Sequence, residues 1–599
     1  MIRKKWLAVL LCACLLLAAL PVAAAAETRP NGISMQPATV LRIDSAEDFT
    51  QDKMNRASNA FANVDGQLNV TALGGAALGT FAEFYDECYM RAVYPVVGLT
   101  EGQEDAFIAY AQEHDIWDIT VVGSAATVKK VRTALPETRA ALDLRGAEDL
   151  SDYATVVTQT NGNLARIALI DAEDASRGLV EYVQARFVTV WADAGNEEEM
   201  FRAVFSGAYG VLTADPERAN DAYKAAGTDG DLLVRTPYLF GHRGVSGDSS
   251  VTENSIGAFR KAAVAGATHL EMDLKLTADQ EIVILHDDSL NTTSTGTGLA
   301  VASLTLEQLR QHKLKDGQDI PTLADVLEEF RDDSVILMLE FKTDAEELPD
   351  LVRTELEEYD MLDRCVIISF YTEQLAAAST ILPECPTLNL SGMSTTRISA
   401  AIRVMCQYNT GWGLGYDDCT YEILTESFRD RGFIAYGGVG SVGFNGAYGD
   451  SLGGIMYDTP SAVSGLPRSL DAEAAYTVPV GGETTLTATL RRYVGQESVQ
   501  CGFIVLSGSL AAAGDTATAV LTYTEETSAG TYTYLSEAVT LTASGEAGGQ
   551  PSGDPGTDPD ASGGCGGCNG SAAASSLLLG AAAAAGAIVL LFKRAGRRL

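Results

Sequence analysis

Leu239-Phe240-Gly241-His242-Arg243-Gly244 is a short apolar run that ends in a histidine and an arginine. Three later segments repeat the pattern of an apolar run that ends in a histidine or a carboxylate: Leu270-Glu271-Met272-Asp273, Ile282-Val283-Ile284-Leu285-His286-Asp287 and Ile336-Leu337-Met338-Leu339-Glu340-Phe341-Lys342. In a parallel (β/α)₈ barrel the carboxyl ends of the strands meet at one mouth, where such barrels carry their chemistry. The four segments therefore predict an α/β protein with a TIM barrel and a polar site at its mouth.

Size and charge limit the classes of protein to consider. The chain has 599 residues, which is too long for one hydrophobic core, and its 46% apolar content is typical of folded domains. Asp and Glu number 80 against 42 Lys and Arg, giving a formal net charge of -38. A surface this acidic repels phosphate backbones, so we expect no nucleic-acid partner.

Both termini carry targeting signals. Residues 1–26 combine early basic residues, an apolar run and a small-residue end, which is typical of a secretory signal peptide. A lipoprotein signal at Cys12 or Cys14 is disfavoured because the apolar run continues past both. Residues 571–592 are apolar and long enough to span a bilayer, and the basic tail 593–599 follows. We expect an exported protein anchored in the cell membrane by its C-terminal helix, with its enzyme domains outside.

The region between the termini divides into two related halves and a third domain. Residues 237–466 have the length of one (β/α)₈ barrel, and residues 32–230 show the same alternation of strands and helices. Three segment pairs match at nearly constant spacing, and Thr80 with Thr322 is one equivalent pair. The first copy lacks the polar residues: Glu340 and Lys342 fall opposite Val97 and Leu99, and His242 falls before the chain begins. We therefore expect a degenerate, truncated barrel-like copy that braces the second copy rather than binding a ligand.

The remaining segments are simpler. Residues 470–546 alternate in period two and are rich in Thr, Val and Tyr, which predicts a small all-β sandwich. Residues 547–570 form a Gly/Pro/Ser linker without apolar residues to pack. The Gly-rich run 437–454 precedes the last barrel strand and is expected to form a mobile loop over the mouth.

The carboxylates at the predicted mouth suit a divalent cation. Glu271 and Asp273 lie two apart on one strand and so point to the same face, and Glu340 ends a neighbouring strand. Burying these carboxylates unpaired would be costly. Three oxygen donors favour one hard ion, Ca²⁺ or Mg²⁺. The alternative is a structural ion network with Lys342 or Arg243.

Two of the five histidines follow apolar strands at this mouth. His242 and His286 are therefore candidates for an acid/base pair, while His269 lies deeper and is expected to be a hydrogen-bonded core residue. Arg243 and Lys342 are the cations that would hold a phosphate group.

Taken together, these motifs resemble the glycerophosphodiester phosphodiesterase family. The resemblance rests on His242-Arg243-Gly244, Glu253-Asn254-Ser255, Glu271-Met272-Asp273, His286-Asp287 with Thr292-Thr293, and Glu340-Phe341-Lys342. It implies a TIM barrel that uses a divalent metal to cleave glycerophosphodiesters to glycerol 3-phosphate and an alcohol. By this resemblance Glu271, Asp273 and Glu340 bind metal, His242 and His286 are catalytic, and Arg243, Glu253 and Lys342 belong to the substrate site. Asn291 stands where the family usually has arginine, which puts the choice of substrate in doubt.

Two alternatives remain open at this point. A phospholyase acting on lysophospholipid or sphingolipid headgroups would use the same residues. A non-catalytic surface protein that binds glycerophosphodiesters is the other alternative, suggested by the degenerate copy and the membrane anchor. In each case the partner is a small-molecule or lipid-derived phosphodiester, and the sequence implies no protein partner.

Overall fold

Strands and helices alternate through both halves of the chain, and each half closes into its own barrel. The computed structural model describes the following residues: 36–227, 232–392, 397–414, 427–438, 452–480 and 484–546. None of the helices within these ranges is both long and apolar enough to cross a bilayer. The predicted signal peptide, the linker, the transmembrane helix and the basic tail lie outside the described residues, as does most of the Gly-rich run before the last barrel strand.

The first barrel comprises the elements up to residue 225. Its strands are β1 (Ala38–Arg42), β2 (Asn59–Val64), β3 (Asn69–Thr71), β4 (Ala77–Thr80), β5 (Tyr94–Leu99), β6 (Thr120–Gly123), β7 (Arg139–Asp143), β8 (Ile167–Asp171), β9 (Thr189–Asp193) and β10 (Gly210–Thr213). Its helices are α1 (Gln51–Asn55), α2 (Phe81–Arg91), α3 (Asp105–Glu113), α4 (Ala125–Ala134), α5 (Tyr153–Gly162), α6 (Arg177–Ala185), α7 (Glu197–Phe205) and α8 (Pro216–Ala225).

This barrel is complete, and the expectation of a truncated copy is wrong in that respect. Parallel pairing runs in the order β1-β10-β9-β8-β7-β6-β5-β2, and β2 pairs with β1 to close the ring of eight strands. The copy is shorter because its loops are shorter: residues 65–93 connect β2 to β5, whereas residues 277–335 make the equivalent connection in the second barrel. The strands were retained because each one is needed to close the ring.

The second barrel follows a short strand, β11 (Leu232–Leu233). Its strands are β12 (Tyr238–Gly241), β13 (His269–Leu276), β14 (Ile282–Ile284), β15 (Ser289–Leu290), β16 (Leu299–Ala300), β17 (Ile336–Phe341), β18 (Cys365–Ser369), β19 (Thr387–Asn389), β20 (Thr410–Leu414), β21 (Ala435–Gly437) and β22 (Gly454–Tyr457). Its helices are α9 (Ile256–Val264), α10 (Leu306–Leu309), α11 (Leu323–Phe330), α12 (Leu348–Tyr359), α13 (Thr372–Ile381) and α14 (Ile398–Gln407). Parallel pairing in the order β12-β22-β21-β20-β19-β18-β17-β13, closed by β13 with β12, confirms the TIM barrel.

Equivalent helices in the two barrels begin in the same way. Thr80 caps α2 in a reciprocal capping box with Glu83, and Thr322 caps α11 in the same box with Asp325. Each box satisfies two backbone amides that the first helical turn leaves without partners. The pairing of Thr80 with Thr322 in the sequence therefore reflects a shared local structure.

The barrels pack against each other through the amino-terminal ends of their strands. Phe187, just before β9, lies among the residues that close the bottom of the second barrel, with its ring centroid 4.6 Å from that of Tyr436 and 6.3 Å from that of Phe240. Thr189 Oγ1 donates to the carbonyl of Gly432 at 2.9 Å. The first barrel thus forms the floor of the second, which is the contact that a bracing role requires.

His269, at the start of β13, belongs to this floor. Its side chain is fully buried, its Nε2 donates to the carbonyl of Ala185 at 2.8 Å, and its Nδ1 lies 2.9 Å from Thr268 Oγ1. Burial lowers the pKa of His269 to about 3, so the ring is neutral at physiological pH. The expectation of a hydrogen-bonded core histidine is confirmed.

The third domain is all-β, as expected. Its strands are β23 (Pro467–Asp471), β24 (Ala475–Val480), β25 (Leu486–Arg492), β26 (Gln496–Gly508), β27 (Thr516–Thr527) and β28 (Gly530–Glu546). β23 and β25–β28 form one continuous hydrogen-bonded path, because β26 pairs with β25 through its first half and with β27 through its second, and β24 branches from it by pairing with β28. β11 joins the same sheet by pairing with β28, so the segment between the barrels is part of this domain.

Candidate active site

Three carboxylates meet at the carboxyl ends of two neighbouring strands. Glu271 and Asp273 lie on β13, and Glu340 lies beside Asp273 on β17. All three side chains are buried, and one oxygen of each lies within 4.8 Å of the others. Asp273 Oδ1 is buried without a hydrogen-bond partner among the described residues. This group of three oxygen donors has the chemistry and the spacing that a hard divalent cation requires.

The pKa values of the carboxylates reflect their crowding. Burial, together with the charges of Asp273 and Glu340, raises the pKa of Glu271 well above its usual value. Burial and the charge of Asp273 raise the pKa of Glu340 to about 7, although Lys342 opposes them. At Glu271 and Glu340, burial and the neighbouring negative charges thus outweigh the effect of the nearby cations. A bound divalent cation would relieve this repulsion.

Two basic residues border the carboxylates. Lys342 Nζ lies 3.2 Å from Glu340 Oε1 and 3.4 Å from Asp273 Oδ1. Arg243 Nη1 donates to Glu253 Oε1 at 2.8 Å, and Arg243 Nε lies 3.5 Å from Asp273 Oδ2. The ion network considered from the sequence is therefore present, but Arg243 and Lys342 do not pair with every oxygen of the three carboxylates. The carboxylates thus form both this network and a possible cation site. Glu253 reaches the site through Arg243.

The turn after β12 holds Arg243 in place. Arg243 and Gly244 have positive φ angles of 51° and 75°, and the Arg243 amide donates to Glu271 Oε2 at 2.7 Å. A Cβ on residue 244 would lie 2.5 Å from the carbonyl carbon of Ala258 in α9, so only glycine allows this helix to pack on the turn. Asn254, at φ 56°, donates its amide to Asp273 Oδ2 at 2.6 Å.

Each candidate catalytic histidine has an aspartate on Nδ1. His242 Nδ1 lies 2.6 Å from Asp458 Oδ1, and His286 Nδ1 lies 2.9 Å from Asp287 Oδ1. The hydrogen bond to His242 is the main reason that the pKa of Asp458 is lowered. A carboxylate that accepts from Nδ1 fixes the proton there and leaves Nε2 free to exchange a proton with another group.

His286 reaches the mouth by a route that the sequence did not predict. The strand before it, β14, is not part of the parallel ring; it pairs antiparallel with the end of β13, where Leu274 lies opposite Ile284. The Leu285 amide donates to the carbonyl of Asp273 at 3.0 Å, so the next residue, His286, follows at the same end of β13 as Asp273. The extension of β13 beyond the barrel makes this hairpin possible.

Comparison with known proteins relates the barrel that carries this site to one protein family. Residues 242–429 match the model of the Glycerophosphoryl diester phosphodiesterase family. The second barrel belongs to this family. A glycerophosphodiester phosphodiesterase of Caldanaerobacter subterraneus is 32% identical over 142 residues, which are 22% of this chain and 57% of that protein. Human glycerophosphodiester phosphodiesterase 1 is 32% identical over 142 residues, 22% of this chain and 42% of that protein.

The matches to the two curated relatives are partial on both sides, whereas the solved structures are covered almost completely. This chain spans about half the length of these two curated relatives. A solved glycerophosphodiester phosphodiesterase of Thermotoga maritima is 23% identical with a TM-score of 0.32, covering 38% of this chain and 96% of that one. A phosphodiesterase of Oleispira antarctica, solved with the product sn-glycerol-3-phosphate, is 22% identical with a TM-score of 0.33, covering 38% and 95%.

The first barrel has none of the candidate site residues at the equivalent strand positions. Strand registers make Arg42 the counterpart of His242, Phe61 of Glu271, Asn63 of Asp273 and Gly98 of Glu340. The alignment of Glu340 with Val97 was therefore one residue off, and the expectation that the counterpart of His242 precedes the chain was wrong.

Ion pairs occupy the mouth of the first barrel instead. Asp193 accepts from Arg42 Nη1 at 3.0 Å and from Arg145 Nη1 at 2.6 Å. Arg145 also lies over the ring of Phe61, 5.5 Å from its centroid. An aromatic ring and paired charges have thus replaced the carboxylates that could have held a cation.

Sequence reasoning missed one residue of the candidate site and assigned no role to two others. Asp458, the partner of His242, immediately follows β22, so the rule that polar groups follow strand ends would have found it. Asp287 and Asn254 stood in the quoted motifs without a role, and they hold His286 and Asp273. Asp287 adjoins its partner His286 in the chain, whereas the partner of Asn254 lies 19 residues away and the motif alone does not identify it.

Proposed function

We propose that the second barrel hydrolyses glycerophosphodiesters to glycerol 3-phosphate and an alcohol, with one divalent cation, Ca²⁺ or Mg²⁺. The observation that carries this proposal is the cluster of three buried carboxylates bordered by two histidine–aspartate pairs. The positive charge of Arg243, which also borders the cluster, contributes to the lowered pKa of both aspartates of these pairs, Asp287 and Asp458.

The residues divide the work of phosphodiester cleavage. Glu271, Asp273 and Glu340 would hold the cation, which would supply positive charge to stabilise the phosphate oxygens. Arg243 and Lys342 are placed to exchange part of their carboxylate contacts for contacts with the phosphate.

The two histidines transfer the protons. One histidine accepts the proton of the attacking oxygen at its free Nε2, and the other donates a proton from Nε2 to the departing alcohol oxygen. Asp458 and Asp287 hold the rings and stabilise the imidazolium forms. The attacking oxygen comes from water or from the glycerol 2-hydroxyl, and in the second case water must open a cyclic phosphate afterwards.

The test is a product assay with purified protein. Glycerophosphocholine, a lysophospholipid and polyglycerol phosphate are supplied as substrates, with Ca²⁺ or Mg²⁺ added after treatment with EDTA. We expect glycerol 3-phosphate and the free alcohol, loss of turnover in EDTA and recovery with a divalent cation. Calorimetric binding of glycerophosphodiesters without turnover in any metal would contradict catalysis and favour the surface-binding alternative.

A second candidate, phospholyase action on lysophospholipids, is favoured by two exposed aromatic residues. Phe370 and Tyr371 follow β18 directly, at the carboxyl end of the strand beside Glu340, and they are 59% and 41% exposed. Apolar rings at this position suit a substrate that carries an acyl chain. A cyclic phosphate as the final product, with the lysophospholipid preferred over glycerophosphocholine, would establish this candidate over the first.

We propose also that the enzyme works at the cell surface. The secretory signal at residues 1–26 and the apolar segment 571–592 support this location. Protease added to intact cells should remove the barrels and leave the C-terminal tail with the membrane. Barrels that resist protease until the cells are lysed would contradict it.

A further inference from the structure

The aspartate that holds His242 is itself held by a hydroxyl group. Ser246 Oγ donates to Asp458 Oδ1 at 2.6 Å, and this oxygen is the one that lies 2.6 Å from His242 Nδ1. Ser246 Oγ also lies 3.2 Å from His242 Nδ1. The serine, the aspartate and the histidine are therefore in mutual contact.

Backbone hydrogen bonds fix the position of Ser246 relative to Asp458. The His242 amide donates to the carbonyl of Tyr457 at 3.2 Å, and the Gly247 amide donates to the carbonyl of Asp458 at 3.1 Å. The segment after β12 is thus joined to the segment after β22 on both sides of Ser246. This arrangement keeps the hydroxyl within reach of the carboxylate.

The second histidine–aspartate pair also has a hydroxyl partner. Thr292 Oγ1 donates to Asp287 Oδ2 at 2.6 Å, whereas His286 Nδ1 lies 2.9 Å from the other oxygen, Oδ1. The hydrogen bond from Thr292 is the main reason that the pKa of Asp287 is lowered. Each of the two carboxylates therefore contacts one histidine and accepts from one hydroxyl.

A second donor restricts the rotation of each carboxylate. The terminal torsion of an aspartate side chain has a broad energy minimum, so one hydrogen bond to a histidine leaves the carboxylate free to turn. A hydroxyl that donates to the same carboxylate limits this rotation and keeps the imidazole ring in one orientation. That orientation matters because a misplacement of about 1 Å in an active site can cost about 10²-fold in rate.

We propose that Ser246 and Thr292 are positioning residues that act on the two histidines through their aspartate partners. Their role rests on the proposed function, because it concerns the histidines that transfer protons there. Neither hydroxyl acts on the substrate directly. Ser246 has the larger effect, since its hydrogen bond is partly buried and that of Thr292 is exposed to water.

The first test measures kcat and KM for cleavage of glycerophosphocholine with Ca²⁺ or Mg²⁺. Ser246→Ala should lower kcat roughly tenfold at an unchanged KM, because a hydrogen bond to a charged group is lost without the loss of a substrate contact. Ser246→Thr should keep most of the activity. Ser246→Val, which has nearly the shape of threonine without its hydroxyl, should behave like Ser246→Ala. Equal kcat in Ser246→Thr and Ser246→Val would overturn the proposal.

Ser250→Ala is the matched control for Ser246→Ala. Ser250 lies in the same loop and donates to Asp248 Oδ1 at 2.6 Å, but Asp248 pairs with Lys261 and not with a histidine. We expect Ser250→Ala to have the kcat of the unaltered protein. An equal loss in both variants would show that the effect is not specific to the histidine–aspartate pair, and would contradict the positioning role.

The threonine has a control of the same kind in the first barrel. Thr155 Oγ1 donates to Asp152 Oδ2 at 2.6 Å at the start of α5. Thr292→Val should lower kcat by about threefold, as expected for one exposed hydrogen bond, and Thr155→Val should leave it unchanged. If kcat is the same in these two variants, Thr292 has no positioning role.

A double substitution separates positioning from substrate contact. If Ser246 acts only through Asp458, then Ser246→Ala should lower kcat no further when Asp458 is already replaced by alanine. A serine that touched the substrate would instead lower kcat by the same factor in both backgrounds. That result would refute the positioning role.

An NMR measurement tests the contact without turnover and so separates this proposal from the proposed function. The chain has five histidines, so selective labelling with ¹⁵N-histidine gives few signals, and His242→Gln identifies the signal of His242. The proton on His242 Nδ1 should exchange with water roughly tenfold faster in Ser246→Ala than in Ser250→Ala. Equal exchange rates would overturn the proposal. Faster exchange in a protein that cleaves no substrate would support the contact and count against the proposed function alone.

Discussion

Replacing Glu340 by glutamine should stabilise the metal-free protein at alkaline pH. In the folded protein Glu340 keeps its proton up to a pKa of about 7, whereas the unfolded chain releases it near 4.5. The folded state therefore loses stability as the pH rises from 4.5 through 7. A tenfold change in an ionisation constant corresponds to about 1.4 kcal/mol, so the ionised carboxylate costs about 3 kcal/mol at pH 8. Glutamine carries no charge at any pH and removes this cost.

Hydrogen exchange measures the effect where it arises. Protection of the amides in β13 and β17 should increase at pH 8 in EDTA for Glu340→Gln, by a free energy of up to about 3 kcal/mol. Little difference should remain at pH 4.5, where Glu340 is protonated in the folded state. The exposed Glu346, five residues after the end of β17, supplies the control Glu346→Gln, which should change nothing.

The substitution that stabilises the metal-free protein should also weaken metal binding. Added Ca²⁺ or Mg²⁺ should stabilise the unaltered protein and have much less effect on Glu340→Gln, since one of three oxygen ligands has lost its charge. Lower protection of Glu340→Gln in EDTA at pH 8 would refute the reasoning, because it would mean that Lys342 already compensates Glu340 fully.

Three further predictions concern the histidines and the floor. In the product assay, His242→Ala should lower kcat by about 10²–10⁴-fold, and Asp458→Asn should lower it less and alter the pH–rate profile. An equal kcat in both variants and the unaltered protein would exclude this pair from catalysis. The pKa of buried His269 is about 3, below its unfolded value of 6.5, so the free energy of unfolding should fall as the pH drops below 6.5, by about 2 kcal/mol at pH 5. In urea unfolding, His269→Gln should lack this contribution to the pH dependence. Phe187→Ala should destabilise the joined barrels by about 3–5 kcal/mol, seen as a lower thermal midpoint, whereas an unchanged midpoint would show that the floor contact contributes little.

The sequence was most informative where chemistry follows strand ends. Glu271, Asp273 and Glu340 could be predicted as one cluster because two-residue periodicity and parallel pairing place them together without any knowledge of the loops. The capping residues Thr80 and Thr322 could be matched because a capping box is a local motif.

Features that depend on loops or distant partners could not be read in this way. Shorter loops change the spacing between equivalents: Ala38 corresponds to Tyr238, but Tyr94 corresponds to Ile336. A search for matches at constant spacing therefore loses β1 and makes a complete barrel look truncated. The buried Arg132 and Arg166 donate to backbone carbonyls contributed from both barrels, and no local pattern encodes these contacts.

The floor contact has a practical consequence for anyone who dissects the chain. A fragment that starts at residue 237 would keep every proposed catalytic group yet expose Phe240, Ile434 and Tyr436 to water, along with the unsatisfied ring of His269. We expect such a fragment to aggregate, or to stay in solution only with detergent, although its proposed catalytic residues are all present. We therefore expect the smallest soluble active fragment to include the first barrel, which covers the apolar floor of the second barrel as a covalently linked chaperone would.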